Sequence, residues 1–386
     1  MVLVFVLLFI FGGFAFTQYF VNLHRATVAS LAVRWFSRGE QAMQANQPGG
    51  AAEAYRTALS YDPENQEYRL RLAEALLAAN RLPEARAHLT SLWEDEPADG
   101  EVNLALARLY ARRGDSVNAA RYYENAINGV WSEHPRARRV ATRFELVDYL
   151  MHHNRPGQAQ AELVALQADA PADSADQLQL GQLLLQMNEP KRALESFDAV
   201  LNSDRNNSRA WLGKGQAFLT LGNYSDAEHA FAKAVDLDRN LDGARQQLYL
   251  VRELLRVDPA LRGLSLAQRA ERAAANFQVA LRRLDSCATQ QGFSLDTHNT
   301  SASSQPPAPS PAPASVTGQL QALYASGQQQ QASATERALR KNPDALEPTM
   351  QYVLTVERTS DSICPSTELT DRALLILARQ ENGAVK

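Results

Sequence analysis

The chain has 386 residues, of which 45% are hydrophobic and 21% are charged, and its net charge is −4 at pH 7. This balance excludes a disordered chain, and the length suits two domains or one extended array with appendages. The small net charge, without a basic stripe and interleaved aromatic side chains, predicts that nucleic acid is not a partner.

The two cysteines, Cys287 and Cys364, lie far apart in sequence and outside any C-x-x-C spacing. Two thiols are too few for a structural zinc site. We interpret them as unrelated thiols. A single disulfide between them, which would require an oxidising compartment, is the alternative.

The N-terminal residues 1–21 (MVLVFVLLFIFGGFAFTQYFV) contain no charged side chain. At about 1.5 Å per residue, a helix of this length spans about 30 Å, the thickness of a bilayer core. Tyr19 and Phe20 end the segment, as expected at a membrane interface. A cleaved signal peptide is the alternative, but a basic start and a small-x-small cleavage site are missing. We therefore predict a retained anchor over 1–23 and a single-pass protein of a bacterial inner membrane.

The orientation of this predicted anchor stays open. Arg25, Arg34 and Arg38 follow the apolar segment, and the positive-inside rule then favours a cytoplasmic body. A native start upstream of Met1 would change that charge balance, and the scarcity of cysteine is also compatible with export. The sequence alone does not decide between the two sides.

A 34-residue period starts near residue 31, and its clearest unit runs from Ser208 to Leu241. The unit reads as two helices, with Gly215 and Ala227 where antiparallel helices would touch. Large side chains fill the space around these small residues; they are Trp211, Phe218 and Phe231.

Five earlier units repeat the same pattern in register, with a short insertion at Trp131–Pro135 between the third and fourth. Pro63 and Pro97 stand where one unit stops before the next begins. The residues at the small and aromatic positions include Gly39, Ala51 and Tyr55 in the first unit, Ala73, Ala85 and Leu89 in the second, Ala107, Ala119 and Tyr123 in the third, Ala159 and Leu163 in the fourth, and Gly181, Ala193 and Phe197 in the fifth.

Six units with this spacing resemble the tetratricopeptide repeat (TPR), a helix hairpin of 34 residues. The resemblance covers residues 31–241 and implies an all-α fold, a solenoid of about six TPR-type hairpins that here follows a transmembrane helix. Because a hairpin buries its apolar face only against neighbours, the end of the array needs a cap. We assign residues 242–296 to capping helices.

The remaining chain divides by composition. Residues 297–316 are rich in proline, alanine and serine and are predicted to form an extended linker. Residues 317–386 are predicted to form a small helical segment with a degenerate repeat-like hairpin. Its last helix, about Ser366–Gln380, carries a broad apolar face that would dock on the array, on a partner or within a module of its own.

The TPR resemblance also implies a concave groove lined by the second, fifth, ninth, twelfth and thirteenth places of each repeat. Arg108 and Arg112 are one helical turn apart and would together hold an acidic group of a partner. Leucines, among them Leu212 and Leu219, occupy fifth and twelfth places. The candidate peptide-binding residues are Glu74, Arg108, Arg112, Asp148, His152, Gln182, Gln186, Arg209 and Gln216.

Catalytic or metal-binding patterns are not evident. The stretch Asp236–Gly243 is similar to a calcium-binding EF-hand loop, but Leu241 and Gln247 replace its glycine and its bidentate glutamate. No nucleophile has a histidine partner at a suggestive spacing. We predict that the chain is not an enzyme and has no catalytic residues, cofactor or metal.

Two functions follow as hypotheses. The preferred one is a membrane-anchored TPR adaptor or scaffold that binds a protein or peptide in the concave groove. The alternative is an exported component of envelope assembly or of a secretion apparatus, which uses the array as a structural spacer.

Overall fold

The computed structural model describes residues 2–169, 173–295 and 315–383, where the chain is helical apart from short connections. The chain divides into two compact units, unit 1 (Met1–Pro171) and unit 2 (Ala172–Lys386). The prediction of an all-α chain of helix hairpins is confirmed over these ranges. Most of the predicted linker 297–316 lies outside the described residues.

Unit 1 contains, in its described part, α1 (Val2–Gln44), α2 (Pro48–Tyr61), α3 (Gln66–Ala78), α4 (Leu82–Asp95), α5 (Gly100–Arg112), α6 (Ser116–Asn128), α7 (Pro135–His152) and α8 (Pro156–Asp169). Each helix packs mainly on the helices next to it in sequence. This nearest-neighbour packing is that of a solenoid.

The predicted anchor, residues 1–23, falls on the N-terminal part of α1, and most of its side chains lie outside the described residues. Over the part of the chain that can be assessed, helices long and apolar enough to cross a membrane are not found.

Capping side chains and turn residues set the ends of the helices in unit 1. Asn65 and Asp99 accept hydrogen bonds from the first-turn amides of Tyr68 and Val102, which starts α3 and α5. The turn after α3 passes through Asn80 at φ 60°, a left-handed conformation that asparagine tolerates better than most residues. Local sequence thus fixes where each helix begins and ends.

A close helix contact explains the recurring glycine. A Cβ built on Gly39 would lie 2.4 Å from Cε1 of Tyr55, and a Cβ on Gly215 would lie 2.6 Å from Cδ1 of Phe231. Both aromatic side chains are fully buried. These residues belong to the scaffold, as the sequence indicates.

The insertion after α6 folds back onto unit 1. Trp131 is buried, and its indole Nε1 donates to the Ala126 carbonyl at 2.9 Å. Val130 pairs with the start of α5 through two backbone hydrogen bonds of 2.8 Å, one with Ala98 and one with Gly100. The insertion therefore closes the third hairpin.

Unit 2 contains, in its described part, α9 (Ser174–Gln186), α10 (Pro190–Ser203), α11 (Ser208–Thr220), α12 (Tyr224–Leu237), α13 (Ala244–Val257), α14 (Leu266–Gln290), α15 (Val316–Gln330), α16 (Glu336–Lys341), a 3-10 turn (Pro343–Ala345), α17 (Leu346–Ile363) and α18 (Leu369–Gly383). The first four are the hairpins of the fifth and sixth repeats. The later helices pack differently: α14 contacts α15, α16 and α17, and α18 packs on α13 and α17.

The interpretation of Cys287 and Cys364 as unrelated thiols is wrong, because the structure joins them in a disulfide. Cys287 is on α14 and Cys364 directly follows α17, and both are buried. The packing of α14 on α17 brings together two residues that are 77 positions apart, a proximity that their spacing in sequence does not reveal.

Candidate functional site

The candidate groove residues fall into two sets, since five belong to unit 1 and four belong to unit 2. All of them lie on the first helices of their hairpins, α3, α5, α7, α9 and α11. Each set is therefore considered within its own unit.

Arg108 in unit 1 is already paired. Its guanidinium donates to both carboxylate oxygens of Glu145 at 2.8 and 2.7 Å, and Glu145 also accepts from the Tyr123 hydroxyl at 2.8 Å. Burial acts to raise the pKa of Glu145, but the hydrogen bonds and charge of Arg108 outweigh it and the net pKa is lowered. Glu145 thus remains ionised and neutralises Arg108.

Arg112 and Glu74 also have partners inside the unit. Arg112 donates to the backbone carbonyl of Leu77, which is a twelfth-place residue of the preceding repeat. Glu74 accepts from Arg71 at 2.8 Å. An acidic group of a partner would therefore have to compete with Glu145 for Arg108 and with the Leu77 carbonyl for Arg112.

Asp148 and His152 form the exposed end of the unit 1 set. His152 Nδ1 lies 2.8 Å from the Asp148 carbonyl oxygen and 3.4 Å from its carboxylate, and both side chains are more than two-thirds exposed. A contact this exposed contributes little to stability. These two side chains are accessible to a ligand.

The four candidate residues of unit 2 are polar and mostly exposed. Gln182 and Gln186 on α9 and Arg209 on α11 are exposed, whereas Gln216 is half-buried. Leu212 and Leu219 beside them on α11 are only partly buried. Amides and partly exposed leucines on successive first helices suit an extended or helical peptide.

Family models described as tetratricopeptide repeat match residues 42–109, 104–130 and 178–246. The chain is a tetratricopeptide-repeat protein. The matches fall on five of the six hairpins that the structure shows.

Several solved structures share the repeat. The protein YrrB, described as a TPR protein with an unusual peptide-binding site, is 20% identical over 50% of this chain and 97% of its own, with a TM-score of 0.38. The pilF protein of Pseudomonas aeruginosa is 14% identical over 58% of this chain and 97% of its own, with a TM-score of 0.40.

A TPR protein of Cytophaga hutchinsonii is 13% identical over 57% of this chain and 86% of its own, with a TM-score of 0.45. Likenesses of this strength carry no argument about partners. No curated protein matches the chain in sequence.

Residues that sequence reasoning missed shape the groove of this TPR chain. Glu145 and Tyr123 set the state of Arg108, and the Leu77 carbonyl sets that of Arg112. In unit 2, Lys214 donates to Asp198 at 2.6 Å. The only signal for the Arg108 pair was the opposite charge of Glu145 on the next first helix, and the insertion between the two repeats hid that register.

Proposed function

We propose that the chain is a non-enzymatic scaffold that binds a protein or peptide along the first-helix faces of its TPR hairpins. The observation that carries this proposal is the set of exposed polar residues beside partly buried leucines on α9 and α11. In unit 1 the exposed Asp148 and His152 extend this set, whereas Arg108 and Arg112, although exposed, are already bonded to Glu145 and to the Leu77 carbonyl.

We further propose that residues 1–21 anchor the scaffold to a membrane and that unit 2 lies outside the cytoplasm. The first part rests on the uncharged apolar composition of that segment. The second part is supported by the disulfide between Cys287 and Cys364, because protein disulfides persist in oxidising compartments and are rare in the cytosol.

The groove is tested by site-specific photocrosslinking of the full chain in native membranes. A crosslinker at Asp148 or at Gln182 is expected to capture a discrete partner. The matched control positions are Arg121 on α6 and Lys191 on α10, which are also exposed but lie on second helices. Capture of the same partner with equal yield at the control positions would contradict the groove assignment.

The membrane side is tested on intact cells that are quenched with acid and then denatured, so that a maleimide that adds mass reaches the otherwise buried cysteines. We expect Cys287 and Cys364 to be modified only after reduction, and a reporter fused after Lys386 to be active only outside the cytoplasm. Free thiols together with a cytoplasmic reporter would overturn the placement of unit 2.

The disulfide also supports the alternative function, an exported assembly or secretion component that uses the array as a spacer. A spacer would show no preference for groove positions. The photocrosslinking comparison therefore separates the two functions, because only the adaptor concentrates capture at Asp148 and Gln182.

A further inference from the structure

The C-terminal helix α18 lies where the TPR groove would continue at the end of unit 2. Helix α13 keeps the 34-residue period, so that Leu250 and Glu253 follow Gln216 and Leu219 by one repeat. These are ninth and twelfth places, which line the groove in the family. Helix α18 packs on α13, and it hydrogen-bonds to both twelfth-place residues.

Polar contacts join α18 to the groove helices at two points, and a buried ion pair between its Asp371 and Arg283 of α14 joins it to the rest of unit 2. Near its start, the Thr370 hydroxyl donates to the Glu253 carboxylate at 2.5 Å. Near its end, the Gln380 side chain donates to the Leu219 carbonyl at 3.1 Å and accepts from the Tyr224 hydroxyl. The helix thereby holds the last groove positions of α11 and α13 in the way that a bound helical ligand would.

The apolar face of α18 completes this contact. Ala373, Leu374 and Ala378 are fully buried, and Leu250 on α13 is 4% exposed. Side chains at i, i+1 and i+4 or i+5 lie on one side of a helix, so this is the buried face of an amphipathic helix. Helix-in-groove recognition uses the same kind of face.

The surface that α18 covers, called its seat below, borders an open cavity. A surface cavity of about 420 Å³ remains beside Leu377, lined also by Leu346, Met350 and Leu354. A helix with a larger side chain in place of Leu377 would make apolar contacts that α18 does not make.

The segment before α18 would let the helix move away from α13 once the ion pair between Asp371 and Arg283 is broken. Residues 364–368 connect it to α17 without helical structure, and most of them are exposed. The disulfide from Cys364 to Cys287 fixes the start of this connection on α14. A displaced α18 would therefore stay tethered to α14 and α17, which the disulfide continues to join.

We propose that α18 is an internal ligand of the groove end in unit 2, and that an amphipathic helix of a partner binds there by displacing it. This inference rests on the proposed scaffold function, because it names the kind of partner and its regulation. A tethered helix has an effective concentration of the order of millimolar, so a partner helix must fit the seat better than α18 does. The cavity beside Leu377 provides for that better fit.

The test uses the full chain in detergent and a fluorescent synthetic peptide of residues 366–383. The variant Leu374→Asp should release α18, because it places a carboxylate in the fully buried apolar seat. We expect this variant to bind the wild-type peptide at least tenfold more tightly than the wild-type chain does. A peptide carrying Leu374→Asp should bind neither, and the chain with the exposed control change Arg372→Ala should behave as wild type.

Two further measurements keep the test decisive. The double variant Thr370→Val with Gln380→Ala removes the polar contacts of α18 with α11, α12 and α13, keeps its ion pair with Arg283, and should give an intermediate affinity. A peptide carrying Leu377→Phe should bind the wild-type chain several-fold more tightly than the unmodified peptide does, because its ring enters the cavity.

Equal peptide binding by wild type and Leu374→Asp would overturn the proposal. So would a Leu374→Asp chain in which hydrogen exchange shows that α13, α14 and α17 have lost protection, because α18 would then be part of the fold and not a ligand. Photocrosslinking at Asp148 and Gln182 does not depend on these outcomes, so failure of the scaffold function would be recognised separately.

Discussion

Unit 1 and unit 2 begin with the same TPR hairpins but are stabilised in different ways. In unit 1 each described helix packs mainly on its sequence neighbours, as in an open array. In unit 2 the array leads into a core where α14 meets α17 and α13 meets α18, and where a disulfide closes a long loop. The same repeat thus forms an open stack in unit 1 and the base of a closed module in unit 2.

The same contrast holds for charged side chains. The Arg108–Glu145 pair of unit 1 is 45% and 33% exposed. The Arg283–Asp371 pair of unit 2 is 4% and 13% exposed, and Arg283 also donates to the Cys364 carbonyl. Surface pairs are worth little, whereas removing one partner of a buried pair leaves a charge without compensation.

The largest effect is expected from the disulfide. Replacing Cys287 and Cys364 by alanine should lower the free energy of unfolding of unit 2 by about 4 kcal/mol, because the unfolded chain regains the freedom of a 77-residue loop. Hydrogen exchange of the full chain should show this loss in α14, α17 and α18 and not in unit 1. Equal loss of protection in both units would contradict the different stabilisation of unit 1 and unit 2.

The ion pairs give the next effect. Asp371→Ala should destabilise unit 2 by about 3 kcal/mol because it strands the buried Arg283 guanidinium. The matched change Glu145→Ala in unit 1 should cost about 1 kcal/mol, since Arg108 can turn to solvent. Denaturant unfolding, monitored by proteolysis of each unit, measures both costs. Similar costs for the two changes would contradict the expected order.

Glu357 on α17 should make unit 2 sensitive to alkaline pH. Burial, together with the nearby charge of Asp371, raises the pKa of Glu357 to about 8. A group whose pKa is higher in the folded state stabilises fully below its unfolded pKa and loses that contribution as pH rises through the folded value.

We therefore expect unit 2 to lose about 3 kcal/mol between pH 5.5 and pH 8 through this carboxyl. Glu357→Gln should flatten the stability profile of unit 2 over that range, and Glu347→Gln, an exposed change on the same helix, should not. Thermal unfolding at several pH values measures this stability profile. An unchanged slope in Glu357→Gln would show that another group is responsible.

The recurring glycine should give the best-matched comparison between the two units. Gly39→Ala and Gly215→Ala place a methyl group against Tyr55 and Phe231 at the same place in the first and sixth repeats. Each should cost about 1–3 kcal/mol through overpacking. Hydrogen exchange of the affected hairpin measures the loss, and neither change should alter partner capture at Gln182.

The sequence by itself determined the helix hairpins. Gly39 and Gly215, the aromatic residues opposite them and the stops at Pro63 and Pro97 recur every 34 residues, and all act over one hairpin or its neighbour. Contacts of such short range leave a period that can be read directly. The six hairpins and the TPR resemblance could therefore be predicted.

The candidate site could be predicted only as a set of positions. Tertiary structure decided that Arg108 is neutralised by Glu145, 37 residues away, and that Arg112 is held by the Leu77 carbonyl. It also decided that Cys287 pairs with Cys364 and that Gln380 reaches Leu219 across 161 residues. The two unit 2 contacts join segments that share no period, so only the packing of α14, α17 and α18 brings them together.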